Sequence, residues 1–151
     1  MKITERKHEI FEISKLMQNS ISKFLNPIAK QENLSKIQLM ILLLMDRSES
    51  EKITSIAEKL ELNQGNTSSI CKKLEEEGYI LKQKDLEDER IVHLKLTVKG
   101  KKVVQKVFDR LDDIGEKLEK VSSENLDTII LQLKEFSEIL NYIVSEEETV
   151  C

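Results

Sequence analysis

Short polar side chains are concentrated between Asn63 and Lys73, in a stretch with the length and spacing of one helix. Amides and hydroxyls are poor helix formers, so a face that only met solvent would more naturally carry Glu and Lys. Asn and Gln can form two hydrogen bonds with an adenine edge, and Ser can bond bases or phosphates. We predict that the outward face contacts duplex DNA, the alternative being an ordinary solvated face. The outward residues are Gln64, Gly65, Asn66, Ser68, Ser69, Lys72 and Lys73, and the inward ones are Thr67, Ile70, Cys71 and Leu74.

Two further polar residues are placed where helices are expected to begin. Asn63 is the predicted N-cap of the polar helix, and Thr54 is the predicted N-cap of a short helix over residues 55–60. Two short helices joined by a few residues form a helix-turn-helix pattern. Gly65 in the first turn of the second helix permits a close approach of backbone N–H groups to a phosphate. Thr54 and Asn63 therefore join the candidate DNA-binding residues.

A charged hairpin follows the polar helix. Residues 79–84 predict its first strand, and the alternation of residues 91–96 predicts a second strand with one buried face. The polar segment 85–89 forms the tip, and Thr97 can cap the next helix. A hairpin directly after a helix-turn-helix is the layout of a winged helix-turn-helix, in which one helix enters the major groove and the hairpin lies along the backbone.

Long amphipathic helices flank this region. Apolar residues recur at helical spacing over about residues 5–31, where Pro27 is expected to end or kink the helix, and again over 103–118 and 126–143. Residues 38–45 are apolar nearly all round, which predicts a buried central helix. The terminal stripes exceed what a small lobe can cover, so we predict pairing with a second copy of the chain. The alternative for the first stripe is an intramolecular core.

These elements predict a mainly α fold with a small β-hairpin wing, arranged as a single merged domain. Residues 1–33 form an N-terminal dimerisation helix, residues 34–100 the winged helix-turn-helix lobe, and residues 101–151 the C-terminal dimerisation helices. A chain of 151 residues is long enough for one domain with a real core. No apolar run approaches the roughly 20 residues of a membrane span, so we expect a cytoplasmic protein without membrane contact.

Composition disfavours several other classes of protein. The net charge of −4 argues mildly against nucleic acid, although only the docking face must be positive. Cys71 and Cys151 are too few for a disulfide framework or a metal pair, and Cys71 is expected to be a small core residue, with a redox switch as the alternative. His8 and His93 lie far apart, so we expect neither a metal site nor a cofactor. No nucleophile–base motif is present, and an enzyme is not expected.

Three motifs resemble the MarR family of bacterial winged-helix regulators, over nearly the whole chain. The wing motif is Asp88-x-Arg90-x-x-x-Leu94-x-Leu96-Thr97-x-x-Gly100. Leu34-Ser35-x-x-Gln38 agrees at the start of the second helix, and Leu74-Glu75-x-x-Gly78-Tyr79-Ile80 agrees at the end of the recognition helix. The wing motif has six fixed positions inside the expected strand–helix context, which makes it specific.

The resemblance implies a homodimer with interleaved terminal helices that binds pseudo-palindromic DNA, often as a repressor released by a small molecule. It also implies that Arg90 reaches into the minor groove, whose negative potential favours a guanidinium, and that Asp88 orients it. The alternative for these two residues is a surface ion pair. Lys84 is a further candidate contact to the DNA backbone.

This wing departs from the family in its charges. Lys82, Gln83 and Glu89 stand where arginines are common, and the recognition helix carries no arginine. We therefore expect weaker anchoring by the wing and a modest salt dependence, since each neutralised phosphate contributes about −0.9 to the log–log slope. The sequence predicts a homodimeric transcriptional regulator, expected to repress and open to control by a small molecule. The alternative is a helical dimeric adaptor that binds proteins on a winged-helix scaffold without competent DNA contacts.

Overall fold

The structure is a computed structural model that describes residues 6–85, 88, 91–119 and 126–148. The chain divides into two compact units, the first ending at Leu111 and the second beginning at Asp112. The predicted class, mainly α with a small β wing, is confirmed. The elements in chain order are α1 (Lys7–Gln31), α2 (Lys36–Met45), β1 (Glu51–Lys52), α3 (Ile53–Lys59), α4 (Gln64–Glu76), β2 (Ile80–Lys84), β3 (Val92–Leu96), α5 (Val98–Glu119) and α6 (Leu126–Glu148).

The core of the first unit is built around α2, as its apolar composition predicts. Leu39, Ile41 and Leu42 are fully buried there. The last turns of α1, the inward stripe of α4 and the first turns of α5 pack in the same cluster. The helix-turn-helix and the start of the long helix α5 therefore share one core. Its remaining buried apolar members are Leu25, Ile28, Ala29, Leu34, Met45, Ile56, Cys71, Leu74, Tyr79, Ile80, Leu94, Val103, Val104 and Val107.

Pro27 does not end α1, since the helix continues through it to Gln31, and a kink at this position stays a prediction. A proline removes one backbone hydrogen bond and its ring clashes with the carbonyl four residues earlier, but here it lies just over one turn from the end of the helix. Ile28 and Ala29, both buried, hold this final turn against the core. Tertiary packing therefore outweighs the local cost of the proline.

Side-chain caps fix where three of the helices begin. Ser35 Oγ accepts the Gln38 N–H while Gln38 Oε1 accepts the Ser35 N–H, which forms a complete capping box at α2. Asn63 Oδ1 accepts the Asn66 N–H at 2.7 Å and caps α4, as predicted. Thr97 Oγ1 accepts the Gly100 N–H at 3.1 Å at the start of α5. The caps predicted from the sequence at Asn63 and Thr97 are confirmed.

The wing is a three-stranded antiparallel sheet in the order β1-β3-β2. The hairpin pairs Ile80 with Leu96 at its base and Lys84 with Val92 near its tip, as the sequence predicts. The third strand is not apparent from the sequence, in which the charged residues 46–51 indicate a loop. Glu51 pairs with Leu94 and is buried. A strand of two residues is too short to show an alternation of apolar and polar side chains.

The predicted N-cap at Thr54 is wrong. Helix α3 begins at Ile53, and Lys52, in extended conformation, occupies the cap position without a side-chain hydrogen bond to the helix. The antiparallel pairing of Lys52 with His93 holds the residue before the helix in a strand. The helix therefore begins at Ile53, two residues earlier than predicted. Thr54 is thus an exposed residue of the first turn of α3.

Apolar side chains remain exposed on the long terminal helices. Phe11 on α1 is 68% exposed, and Phe136 on α6 is 40% exposed. None of the described helices is long and apolar enough to cross a membrane. Ser122-Ser123-Glu124, which the sequence favours as the cap of the last helix, lies outside the described residues. Dimerisation through these helices, and the division into terminal helices and a central lobe, stay predictions. The other large exposed apolar residues of these helices are Ile13, Leu16, Met17, Ile21, Val98, Phe108, Leu111, Ile114, Ile129, Ile130, Leu131 and Leu133.

Candidate nucleic-acid interface

Helix α4 separates its residues into a buried stripe and an exposed polar face. Thr67, Cys71 and Leu74 have no exposed surface, and Ile70 is half-buried. The predicted inward stripe is therefore the observed one. All seven residues of the predicted outward face are exposed: Gln64, Gly65, Asn66, Ser68, Ser69, Lys72 and Lys73.

Several polar side chains of α4 are held in place by hydrogen bonds to the helix itself. Besides the Asn63 cap, Thr67 Oγ1 donates to the Asn63 carbonyl at 3.0 Å. Ser69 Oγ donates to the Gly65 carbonyl at 3.1 Å, which leaves its oxygen free to accept. The Asn63 side chain therefore shapes the start of the helix, whereas the amides of Gln64 and Asn66 lie on the exposed face.

Gly65 is not required by the packing of the free protein. A Cβ atom at this position would lie 3.7 Å from Asn63 Oδ1, an ordinary van der Waals distance. Glycine weakens a helix by roughly 1 kcal/mol relative to alanine, and no steric need in the fold offsets that loss. The backbone of the first turn is consequently open to close approach from outside.

Two lysines form the positive end of the exposed face. Lys72 lies 3.9 Å from Glu76 and Lys73 lies 3.8 Å from Glu77, each one turn further along the helix. Exposed pairs at such distances contribute at most about 1 kcal/mol. Both ammonium groups can therefore turn towards an anionic partner at little cost.

Thr54 lies beside the wing, away from the polar face of α4. It lines a hollow of about 350 Å³ together with Lys52, Ile53, Ile91 and Val92. The fold thus brings Thr54 next to the second wing strand. Lys84, also exposed, lies at the far end of the first wing strand, opposite Val92. The predicted site residues therefore form two groups, one on α4 and one around the wing.

Asp85 contacts several residues at the wing tip. It is not among the predicted site residues. One of its carboxylate oxygens accepts the Asp88 N–H at 3.2 Å, and the other lies 3.1 Å from Nε2 of His93. Its backbone N–H donates to the Ile91 carbonyl. Asp88 is exposed at this tip. Arg90 lies outside the described residues, so its predicted pairing with Asp88 stays a prediction.

A buried carboxylate joins the wing to α3. Glu51 is 7% exposed and accepts hydrogen bonds from Ser48, Ser55 and Lys59 at 2.9, 2.7 and 2.6 Å. Burial alone would raise the pKa of the Glu51 carboxyl, but these hydrogen bonds and the positive charge of Lys59 outweigh it. The pKa of Glu51 therefore lies below its ordinary value. The signal in the sequence was weak, because Glu51 lies between Ser50 and Lys52 in a segment that holds other acidic residues.

Cys71 is a core residue of α4. It has no exposed surface, and burial raises the pKa of its thiol to about 11 although Lys82 nearby opposes the change. A thiol that is protonated and shielded at neutral pH reacts slowly with oxidants. The structural interpretation of Cys71 is therefore favoured over the redox switch.

The family is decided by comparison with known proteins. The model of the transcriptional regulator SarA/Rot family matches residues 23–107, more than half of the chain. The chain belongs to the SarA/Rot family. This matched region contains the helix-turn-helix, the wing and the first half of α5. The SarA/Rot family has the MarR-like winged helix, so the resemblance to MarR regulators is confirmed.

Relatives agree with this family. The chain is 28% identical over 112 residues to the regulator SarZ of Staphylococcus haemolyticus, covering 65% of this chain and 76% of SarZ. The structure is similar to the transcriptional regulator BldR of Sulfolobus solfataricus, with 27% identity, a TM-score of 0.71 and coverage of 91% and 98% of the two chains. The SarA/Rot protein described here is thus a DNA-binding transcriptional regulator of the winged-helix type, and not an enzyme.

Two more distant structures share the fold. Staphylococcus aureus MarR, solved in complex with salicylate and kanamycin, is 19% identical, with a TM-score of 0.74 and 93% of each chain covered. Reduced AbfR, solved bound to DNA, is 17% identical, with a TM-score of 0.70 and coverage of 93% of this chain and 96% of that one. At these identities the likeness shows the fold of the SarA/Rot protein alone.

Proposed function

We propose that this regulator binds pseudo-palindromic duplex DNA as a homodimer and represses the genes that its operator controls. Each copy places α4 in the major groove of one half-site, and the half-site centres lie about 34–36 Å apart, one helical turn. The wing lies along the adjacent backbone, with Arg90 in the minor groove. AbfR, which shares the fold, has been solved bound to DNA, which supports this arrangement.

The observation that carries the proposal is the exposed face of α4. Its amides and hydroxyls match the hydrogen-bonding groups of base edges and phosphates. Its two lysines can neutralise backbone phosphates, and Gly65 leaves the first turn accessible. A helix whose only role was to pack inward would gain stability from stronger helix formers at these exposed positions.

The dimer is supported by the apolar surface of the long helices. Phe11, Leu16 and Ile21 on α1, and Leu131 and Phe136 on α6, are large side chains exposed to water. Exposed apolar side chains that recur along a helix are characteristic of interfaces between proteins. A second copy of the chain offers the same surface, as a two-fold dimer requires.

A small-molecule effector would find a suitable crevice beside the wing. A hollow of about 690 Å³ is lined by the apolar residues Met45, Val104 and Phe108. Its lining also holds more cations than acids, namely Arg47, Lys95 and Lys101 against Asp46 and Glu49. An organic anion with an apolar body matches this combination, and S. aureus MarR was solved with salicylate. Control follows if the effector binds the DNA-incompetent state more tightly than the competent one. Lowered operator affinity in the presence of salicylate, restored in Arg47→Gln, is the expected result.

The test of the proposal is a binding titration with the intergenic DNA upstream of the gene that encodes this protein. Wild-type protein, first shown to be a folded dimer by sedimentation, is titrated into labelled duplex with and without unlabelled competitor of random sequence. We expect tight binding that random duplex does not displace. Asn66→Ala should weaken it roughly 5- to 150-fold if the amide reads a base, since one such contact contributes about 1–3 kcal/mol. The exposed acidic residue Glu76 supplies the control variant, Glu76→Ala, which should not weaken binding.

Two results would contradict the proposal. A monomer in solution would contradict the binding of two paired half-sites. A folded dimer that binds operator and random duplex with equal affinity would contradict sequence-specific recognition. A folded dimer that binds no DNA at low salt would instead favour the protein-interaction adaptor.

A further inference from the structure

We propose that the hydroxyl of Ser48 senses the ligand of the hollow beside the wing, and that an anion which takes its proton detaches the loop of residues 46–50 from α3. Ser48 lines this hollow of about 690 Å³. It also donates a hydrogen bond of 2.9 Å to Oε1 of Glu51, the buried carboxylate that joins the wing to α3. One side chain therefore contacts both the hollow and the group that holds α3. The inference rests on the proposed function, because its ligand is the organic anion proposed there.

Glu51 connects the loop of residues 46–50 to α3. Its Oε1 accepts from Ser48 in the loop and from Lys59 at the end of α3, and its Oε2 accepts from Ser55 in the same helix. Of these three donors, only Ser48 belongs to the loop. Loss of the Ser48 bond therefore separates the loop from the cluster and leaves Glu51 attached to α3.

The attachment bears on DNA binding because α3 and α4 pack against each other. Ile56 of α3 is fully buried in the same core as Cys71 and Leu74 of α4. The turn between the helices is short, and the Leu62 N–H donates to the Ala57 carbonyl at 2.9 Å across it. A change in the position of α3 therefore reaches the recognition helix. Packed elements move between discrete arrangements, so the loss of one attachment can shift the population of the DNA-competent state.

The hydroxyl of Ser48 can distinguish anions from neutral molecules. A serine hydroxyl has one proton to donate and two lone pairs that accept. An anion without donors can bond to Ser48 Oγ only by taking the proton that Glu51 now receives. A neutral molecule with an O–H or N–H group can donate to Oγ instead, and the bond between Ser48 and Glu51 then stays intact. Anions therefore break this bond, and neutral donors do not.

The charge of the hollow favours the anion. Three cations line it, and two acids oppose them, in a chain whose net charge is −4. An excess of positive charge in a concave site attracts anionic ligands and raises their local concentration. Arg47, next to Ser48 in the chain, lines the same hollow and can hold a carboxylate beside the hydroxyl.

Glu51 can lose one donor without becoming an unpaired buried charge. Its Oε1 still accepts from Lys59 at 2.6 Å, and its Oε2 still accepts from Ser55 at 2.7 Å. A buried carboxylate that lost every partner would be strongly unfavourable. Because two donors remain, one of them charged, the exchange of the Ser48 proton is within the reach of a small ligand.

The test uses two variants that each remove one hydrogen bond from Glu51. Ser48→Ala removes the donor that lines the hollow, and Ser55→Ala, the control, removes a donor that does not line it. Ser48→Thr keeps the hydroxyl. Salicylate is the anionic probe, and salicylamide, which keeps the ring without the carboxylate, is the neutral one. The NMR resonance of the Glu51 carboxylate carbon reports on its hydrogen bonds, and the amides of Lys101 and Val104 report on occupancy of the hollow.

We expect saturating salicylate to shift the Glu51 carboxylate and to weaken operator binding about fivefold in the wild type, in Ser55→Ala and in Ser48→Thr. In Ser48→Ala, salicylate should still occupy the hollow but leave both the Glu51 carboxylate and the operator affinity unchanged. Salicylamide should occupy the hollow of the wild type without shifting the Glu51 carboxylate.

Two results overturn the inference and leave the proposed effector standing. One is a Glu51 response in Ser48→Ala equal to that of the wild type, and the other is an occupied hollow without any response at Glu51. If neither probe perturbs Lys101 or Val104, the inference and the proposed effector both fail, and recognition of DNA by α4 keeps its own test. Equal binding of operator and random duplex, with the Glu51 response retained, would overturn the proposed recognition and leave the sensor standing.

Discussion

The phenolic hydroxyl of Tyr79 donates a hydrogen bond of 2.9 Å to the backbone carbonyl of Glu32. Tyr79 follows the recognition helix α4, and Glu32 follows α1, so this bond joins the ends of two elements with different roles. The backbone carbonyl of Tyr79 in turn accepts the N–H of Thr97, just before α5. Lys99 lies over the Tyr79 ring at 4.0 Å. The end of the recognition helix is therefore fixed to α1 and α5 through one residue.

Removing that hydroxyl should loosen this connection. We expect Tyr79→Phe to lower the free energy of unfolding by about 1 kcal/mol, since the ring still packs but the Glu32 carbonyl loses its donor. Urea denaturation measures the change. Glu32→Gln is the control, because it disrupts the ion pair with Lys106 and keeps the carbonyl; its cost should stay below 1 kcal/mol. A larger loss in Glu32→Gln than in Tyr79→Phe would contradict this account.

Gly100 should tolerate no side chain. A Cβ atom there would lie 2.3 Å from the Tyr79 carbonyl oxygen and 3.0 Å from Cδ2 of Leu96, so Gly100→Ala forces backbone to move. We expect a loss of about 1–3 kcal/mol in the free energy of unfolding. The control is Gly115→Ala, where nothing lies within 4 Å of the new Cβ. That variant should gain up to about 1 kcal/mol from helix propensity, and opposite signs for the two variants are the decisive result.

Glu51 should make the free energy of unfolding of the first unit depend on pH. Because its pKa is lowered in the folded state, its ionised form contributes stability above the ordinary pKa of 4.5, and that contribution is lost as the pH falls through the lower folded pKa. We expect Glu51→Gln to cost about 1–3 kcal/mol at neutral pH and to flatten the fall in stability below pH 4.5. Urea melts from pH 3 to 7 measure both effects. If the exposed neighbour variant Glu49→Gln flattens the curve as much, the Glu51 cluster is not its cause.

Arg90 should anchor the wing on DNA without contributing to assembly. We expect Arg90→Ala to weaken operator binding about tenfold, equivalent to about 1.4 kcal/mol, while sedimentation still reports the same oligomer. Arg110→Ala removes the same charge from the exposed surface of α5 and should leave affinity within about twofold. Unchanged affinity of Arg90→Ala at physiological salt would exclude the wing from the interface.

Much of this fold follows from patterns that are local in sequence. The helical spacing of Thr67, Cys71 and Leu74 predicts which side of α4 is buried, and Asn63 marks its start. The wing motif predicts both the second strand and the capping threonine at 97. In each case the residues that form the helix, strand or cap lie within a few positions of one another. Their order in the sequence is therefore enough to predict the element.

The features that the sequence did not reveal depend on distant partners. The strand at Glu51 exists because Leu94 pairs with it, and the same pairing moves the start of α3 ahead of Thr54. Pro27 stays inside α1 because the core holds the turn that follows it. The exposed face of α4 was predictable, because exposure follows from the helical period, and its contact with DNA stays a prediction.

The strand order of the sheet determines which strands can pair first during protein synthesis. The middle strand β3 is the last of the three to leave the ribosome, and the edge strand β1 has no partner until β3 arrives. The hairpin of β2 and β3 closes between near neighbours in the chain, so it can form early, whereas pairing of Glu51 with Leu94 closes a long loop. The helix-turn-helix is consequently synthesised before the wing can hold α3 in place, and the complete winged lobe can form only after residue 96 has emerged.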